Sequence, residues 1–216
     1  MANISGTPLN DFSEGTVGKD TIRGADNNDF LIGLDGDDSI RGDAGNDALF
    51  GGNDTDIILG GNDNDLLDGG VGNDTMRGGS GVDQLIGGEG LDSLIGESGD
   101  DTLYGGVGND TLTGTSGDDV LQGGFGEDRI DGGSGANNLV SGGEDADIFV
   151  LTNGSNSKIL DFAGGTDKLT LGSGLNFDSL DIQDNGGDAE IINANGDVIA
   201  LISNIAAADI TAADFV

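Results

Sequence analysis

The sequence predicts an all-β chain: a parallel roll of 18-residue coils followed by a small β-rich cap. Three observations predict it. Glycine supplies 44 of the 216 residues, with no three-residue period, which excludes collagen. From Gly6 onward the chain repeats every nine residues through 15 consecutive units, the first starting at residue 6 and the last at residue 132. Fourteen of the units carry an aspartate in the sixth place and fourteen an apolar residue in the eighth, a phase that disordered low-complexity sequence has no reason to keep.

The sixth place holds Asp11, Asp20, Asp29, Asp38, Asp47, Asp56, Asp65, Asp74, Asp83, Asp92, Asp101, Asp110, Asp119 and Asp128, fourteen in succession, before Asn137 breaks the series. The eighth place is apolar from Ile22 through Met76 and Leu94 to Leu139, with Ser13 the polar exception at the N-terminal end. One extra residue, assigned to Ser141, precedes a last unit at Gly142–Val150 with Asp147 and Phe149.

Places seven to nine, such as "TMR" at 75–77, suit a very short strand. Side chains alternate along a strand, so the uniformly apolar eighth place faces inward and its neighbours face out. The first six places must turn the chain. Glycine in the first, second and fourth places permits positive φ and close backbone approach. Asn27, Asp54 and Asp63 stand in the fourth place, and Asn and Asp tolerate the left-handed region better than other side chains. Two units make one coil, and coils stack as parallel strands about 4.8 Å apart, giving about seven coils. The aspartates then form two columns, one along each edge.

Composition narrows the function. The formal charge is −34, which repels nucleic acid and anionic membranes and calls for cations. The chain has no Cys and no His, so disulfides, thiolate metal sites and the commonest zinc ligand and general base are all absent. One apolar residue in nine is a thin core, and stacked aspartates repel one another. A cation between neighbouring turns removes that repulsion. Carboxylate and backbone oxygens in an irregular loop suit Ca²⁺; Mg²⁺ demands a tighter octahedron, and zinc prefers N and S ligands. The opening "MANISGTPLNDFSEG" lacks the basic start and apolar run of a cleavable signal peptide, and no segment has the length to span a bilayer.

Full matches to the first six places occur as "GGVGND" at 69–74 and 105–110, "GGSGVD" at 78–83, "GGEGLD" at 87–92 and "GGFGED" at 123–128. Over Gly6–Val150 the chain resembles the RTX (repeats-in-toxin) calcium-binding proteins and their nonapeptide G-G-x-G-x-D-x-U-x. The resemblance implies a right-handed parallel β-roll holding roughly a dozen Ca²⁺. It implies that the carboxylates from Asp20 to Asp128 each bridge ions. Turn residues complete each sphere: Gly69, Gly70 and Gly72; Gly78, Gly79 and Gly81; Gly87, Gly88 and Gly90; Gly105, Gly106 and Gly108; Gly123, Gly124 and Gly126. "GADNND" (24–29), "GESGDD" (96–101) and "GGSGAN" (132–137) depart from the pattern. The domain organisation expected is an N-terminal cap and degenerate first repeat over 1–14, the roll over 15–150 and a C-terminal capping region over 151–216.

Beyond residue 150 glycine thins out. "SKILDF" (157–162), "DKLTL" (167–171), "SLDIQ" (179–183), "AEIIN" (189–193) and "DVIALI" (197–202) read as strands, with tight hairpin turns at "DNGGD" and "NANGD". An antiparallel cap over the open end of the roll is expected. "DIFVL…ILDFAGGTDKLTL" is similar to the C-terminal region of serralysin-type exoproteins, and the terminal "ADFV" resembles the uncleaved signal of type I secretion, a terminal strand being the other reading. The expected function is that of a secreted, extracellular calcium-binding structural protein that folds on Ca²⁺ outside the cell. Its expected partners are calcium and the type I secretion machinery, without nucleic acid or a membrane span. An enzyme is not expected, because the repeats begin at Gly6 and His-dependent chemistry is unavailable to this composition. The alternative is a calcium-dependent adhesion or polysaccharide-binding module of the cell surface or matrix, with Arg23, Arg41, Arg77 and Arg129 as the basic residues near strands.

Overall fold

The nine-residue phase closes into a coil because the inward places alternate with the outward ones. Around residue 74, Asp74, Met76 and Gly78 are buried while Thr75 and Arg77 are exposed. Places six, eight and one of the next unit therefore share the interior, as strand alternation requires. The computed structural model describes residues 1–216.

Strands follow one another with almost no helix. They are β1 (Asn3–Ser5), β2 (Phe12–Glu14), β3 (Thr21–Asp26), β4 (Phe30–Asp35), β5 (Ser39–Ala44), β6 (Ala48–Asn53), β7 (Ile57–Asn62) and β8 (Leu66–Val71). Next come β9 (Thr75–Ser80), β10 (Gln84–Glu89), β11 (Ser93–Ser98), β12 (Thr102–Val107), β13 (Thr111–Ser116), β14 (Val120–Phe125), β15 (Arg129–Asp131) and β16 (Leu139–Glu144). The last are β17 (Ile148–Leu151), β18 (Ser157–Ile159), β19 (Lys168–Leu171), β20 (Asp181–Asn185), β21 (Asp188–Ile192) and β22 (Val198–Ile202). Odd-numbered strands from β1 to β19 form one ten-stranded sheet. Even-numbered strands from β2 to β18, joined by β22, β21 and β20, form a second sheet of twelve. Within the repeats every pairing is parallel, offset by 18 residues as in Leu85 opposite Leu67 and Leu103, and by 19 where β16 meets β14 and β17 meets β15. The chain is thus a parallel β-roll of 18-residue coils, as its period predicts.

The core is a single file. The eighth-place side chains from Ile22 to Ile130 are at most 1% exposed. Most strands run six residues rather than the three expected, because the glycine turn is itself partly strand. After a kink at the first place, Gly88 pairs again with Gly70 and Gly106. The kink needs glycine: Gly88 has φ +107, a region where an L side chain is strained. At Gly90 (φ +147) a methyl group would also collide with the Gly72 carbonyl one coil away.

The insertion lies elsewhere than at Ser141. Leu139 pairs with Val120 and Val140 with Leu121, so Val140 enters the core at 2% exposure while Leu139 is 40% exposed. Asn138, not Asn137, takes the column position. The extra residue sits in the turn between β15 and β16. A turn absorbs one residue locally, whereas one added inside a strand would flip every later side chain to the other face.

The expected antiparallel cap holds for β20–β22 only. β21 pairs antiparallel with both β20 and β22, and Gly186 and Gly187 form the first hairpin turn. β18 and β19 instead extend the two parallel sheets, β18 beside β16 and β22, and β19 beside β17. The core file continues through Phe149, Ile159 and Leu169 into Ile191, Ile199 and Ile202. At the C-terminus Phe215 bridges to Leu169 and packs its ring 4.8 Å from that of Phe177. No helix is long and apolar enough to cross a membrane.

Two glycines separate the steric role from composition. Gly90→Ala, with the close carbonyl and positive φ, should destabilise the folded roll by about 2 kcal/mol or more. Gly18→Ala, where nothing lies within 4 Å of the added methyl, should shift the thermal midpoint little. Equal shifts of the two midpoints would contradict the stacking described here.

Candidate metal centre

The sixth-place aspartates end up inside because they share a face with the core file. From Asp20 to Asp128 each is at most 4% exposed. One column runs through Asp11, Asp29, Asp47, Asp65, Asp83, Asp101 and Asp119 to Asn138, and the other through Asp20, Asp38, Asp56, Asp74, Asp92, Asp110 and Asp128 to Asp147. In both columns Oδ1 accepts the backbone N–H of the residue one coil earlier. Asp56 donates to Asp74 at 2.7 Å and Asp74 to Asp92 at 2.8 Å. These bonds fix each carboxylate and tie coil to coil.

The other oxygen has no such partner. Oδ2 of Asp29, Asp38, Asp47, Asp56, Asp65, Asp74, Asp83, Asp92, Asp101, Asp110, Asp119 and Asp128 is buried with no hydrogen-bond donor. A buried carboxylate without a partner costs several kcal/mol, and such groups are paired or bind metal. Each Oδ2 lies over the first-place glycine of its own unit. A methyl group on Gly69 would stand 2.5 Å from Asp74 Oδ2 and 2.7 Å from the Gly87 carbonyl oxygen, and one on Gly105 would meet Asp110 Oδ2 and the Gly123 carbonyl in the same way. The glycines thus keep open a space walled by carboxylate and carbonyl oxygens. No three His, Cys, Asp or Glu side chains converge on one point; each space combines carboxylate with main-chain carbonyls. An all-oxygen donor set of this kind fits a hard cation such as Ca²⁺, which takes six to eight oxygens in flexible geometry.

Electrostatics point the same way. Burial pushes the Asp65 carboxyl up to about 8 and those of Asp56 and Asp128 up to about 7. It brings Asp47, Asp74, Asp83, Asp110 and Asp119 to about 6. The backbone N–H on Oδ1 opposes the rise, and neighbouring carboxylates, such as Asp83 and Asp47 beside Asp65, add to it. Burial likewise raises Asp29, Asp38, Asp92 and Asp101.

Asp20 differs from the rest of the predicted ligand set. Burial works to raise its pKa, but N–H groups of Ala2 and Thr16 and the Thr16 hydroxyl outweigh that and hold it at about 2. Both of its oxygens are already engaged. Of the turn glycines predicted, the second-place residues Gly70, Gly79, Gly88, Gly106 and Gly124 and the fourth-place Gly72, Gly81, Gly90, Gly108 and Gly126 all have positive φ. The first-place residues Gly69, Gly78, Gly87, Gly105 and Gly123 lie beneath the carboxylates. A second ladder, at the fifth place, escaped the sequence reading. There the exposed side chains of Asn28, Asn46 and Asn64 accept the N–H groups of Asn46, Asn64 and Val82 at 2.8–3.0 Å. Its only signal was the recurrence of Asn at that place.

A parallel roll with buried carboxylate columns facing glycine turns defines a metal-binding repeat solenoid. The family described as RTX calcium-binding nonapeptide repeat (4 copies) matches residues 5–40, 14–49, 24–58, 50–85, 77–112 and 104–139, more than half of the chain. The chain belongs to this family. Its repeats are calcium-binding repeats. Among solved structures it is similar to the extracellular lipase LipA from Serratia marcescens, at 17% identity and a TM-score of 0.45 over 94% of this chain; it spans 39% of that one. It is also similar to the AlgE6R3 subunit of the Azotobacter vinelandii mannuronan C5-epimerase, at 28% identity and a TM-score of 0.25, over 57% of this chain and 76% of that one. No curated protein matches it.

The raised carboxyls carry a pH dependence for the metal-free protein. In the unfolded chain an aspartate titrates near 3.9, and in the folded roll burial raises these carboxyls, those of Asp47, Asp56, Asp65, Asp74, Asp83, Asp110, Asp119 and Asp128 to about 6 to 8. Between those values the folded state binds more protons, so its stability is greatest in acid and falls as pH rises. With calcium chelated, the far-UV circular dichroism should gain β character as pH drops from 8 to 5. Calcium affinity should weaken over the same range, because protons compete for the same oxygens. A metal-free spectrum that loses β character on acidification would contradict the assignment.

Proposed function

We propose that the chain is a calcium-dependent structural module whose roll closes when Ca²⁺ fills both carboxylate columns. The observation that carries this reading is the set of twelve buried Oδ2 atoms without a donor. In this reading the carboxylates from Asp29 to Asp128 hold the ions together with carbonyls of the glycine turns, those of Gly70, Gly72, Gly79, Gly81, Gly88 and Gly90 among them. Calcium bound there would supply the positive charge and the coordination partner that the bare Oδ2 atoms lack. The chain's own residues orient the carboxylates through the Oδ1 bonds and keep the space open with first-place glycine. Residues 15–150 form the metal-dependent roll, 1–14 its N-terminal end and 151–216 its C-terminal cap.

A charge of −34 keeps the metal-free chain expanded, which suits passage through an exporter. Extracellular calcium modules bind at about 10⁻⁴–10⁻³ M, so folding is deferred until the chain is outside. The C-terminal segment serves as the type I signal and then as the cap. The adhesion reading has less support, because Arg23 and Arg41 both pair with Asp43, and Arg77 pairs with Glu97 at 3.0 Å. Three of the four arginines near the strands thus face the protein's own carboxylates, which leaves Arg129 as the one without such a pair.

Two measurements test the reading. Far-UV circular dichroism at pH 7.5 should pass from coil-like in EDTA to β-rich at millimolar calcium, with a matching fall in hydrodynamic radius. A compact β-rich protein in EDTA would contradict it. For export, removal of Asp214–Val216 should abolish release by a type I exporter; normal release would overturn the signal assignment and leave the calcium reading intact.

A further inference from the structure

The two N-terminal carboxylates are built differently from the twelve that follow. Asp11 Oδ2 accepts the Thr7 N–H at 2.5 Å and the Thr7 hydroxyl at 3.1 Å. Asp20 Oδ2 accepts the Thr16 N–H at 2.5 Å and the Thr16 hydroxyl at 2.8 Å. In each case the second place of the unit is threonine, and its backbone amide and hydroxyl occupy the oxygen left without a donor in every later carboxylate from Asp29 to Asp128.

Residue type alone does not produce this cap. Thr115 also holds a second place, yet Asp119 Oδ2 has no donor. Thr115 has φ +91, whereas Thr7 and Thr16 are absent from the positive-φ residues. Thr115 is held between coils on both sides, paired with Glu97 and packed against Gly133, and that stacking imposes the left-handed turn despite its cost for a β-branched residue. Thr7 and Thr16 lie in the first coil and have a neighbouring coil on one side. Pro8 further restricts Thr7 to extended backbone, since the residue before proline is driven out of the helical region. With negative φ the amide turns inward, onto the carboxylate.

The opposite end of the Asp11 column is closed by another device. Asn138 takes the column position, its Oδ1 accepts the Asp119 N–H at 2.8 Å, and its Nδ2 donates to the Gly132 carbonyl at 2.9 Å. A neutral amide thereby satisfies both the ladder and a turn carbonyl of the kind that elsewhere lines the open space.

We infer that the metal array is bounded: Asp11 and Asp20 are not calcium ligands, Thr7 and Thr16 standing in for the cation, and the array begins at Asp29. This rests on the calcium reading given above and narrows it to particular residues. The first coil is then held by protein donors at any calcium concentration at which its neighbour is folded, and so terminates the metal columns without a half-filled site. Asn138 closes the other end of the Asp11 column with a neutral amide in place of the carboxylate.

Ion counting by native mass spectrometry at saturating calcium tests this, with circular dichroism on the same samples to establish folding. Asp20→Asn and Asp11→Asn should each bind as many ions as the wild type, and Asp29→Asn should bind at least one fewer. Loss of an ion from folded Asp20→Asn or Asp11→Asn would overturn the boundary, as would an undiminished count for Asp29→Asn. Should Asp20→Asn fail to fold, Asp11→Asn, in the less buried turn, decides the matter alone. A wild type that binds no ion overturns the calcium reading itself, a result distinct from a shifted boundary.

Discussion

The structure depends on one electrostatic constraint: a carboxylate buried at every ninth residue, with one oxygen bonded and the other bare. The bonded oxygen accepts the main-chain N–H of the coil before it, so each aspartate stitches two coils together. The bare oxygen faces carbonyls across a space that only glycine leaves open. Remove the aspartate and the coils lose a repeated tie; keep it without a cation and twelve buried anions stand in two files. The roll therefore cannot be both closed and fully ionised on its own hydrogen bonds, and it is this that the proposed calcium dependence of folding rests on.

The rest of the architecture accommodates that constraint. A single apolar side chain per unit leaves room in the interior for the carboxylates at the corners. Second- and fourth-place glycines adopt positive φ so that the turns of successive coils lie carbonyl against backbone. Because every coil contacts only its neighbours, the energetics are those of a one-dimensional stack, in which ends and interior obey different rules. The ends show it. Threonine amides and hydroxyls close the columns at Asp11 and Asp20, and an asparagine closes one column at residue 138. Beyond that point the parallel sheets persist for β18 and β19 before an antiparallel meander covers the last edge.

Much of this was legible in the sequence because the period carries it. The 18-residue coil, the inward eighth place and the two aspartate columns all follow from counting. What was not legible depends on register and backbone conformation. Asn137 and Asn138 are equivalent on paper, and only the pairing of Val140 with Leu121 shows which one enters the column. Thr16 and Thr115 occupy the same place, and only the sign of φ separates a capped carboxylate from a bare one. "SKILDF" and "DKLTL" read as strands, but nothing local to them says whether a strand prolongs a parallel sheet or starts an antiparallel one. The six-residue strand length was missed because glycine weakens a strand in isolation, whereas here second-place glycines such as Gly70, Gly88, Gly106 and Gly124 pair with one another from coil to coil.

The most direct test of the central claim is a crystal structure of the calcium-loaded protein with anomalous diffraction measured to locate the ions. The account predicts two files of ions along the roll, each ion about 2.3–2.6 Å from an Oδ2 atom between Asp29 and Asp128 and from turn carbonyl oxygens. A closed roll whose Oδ2 atoms have no ion beside them, with calcium confined to the exposed fifth-place side chains, would contradict it.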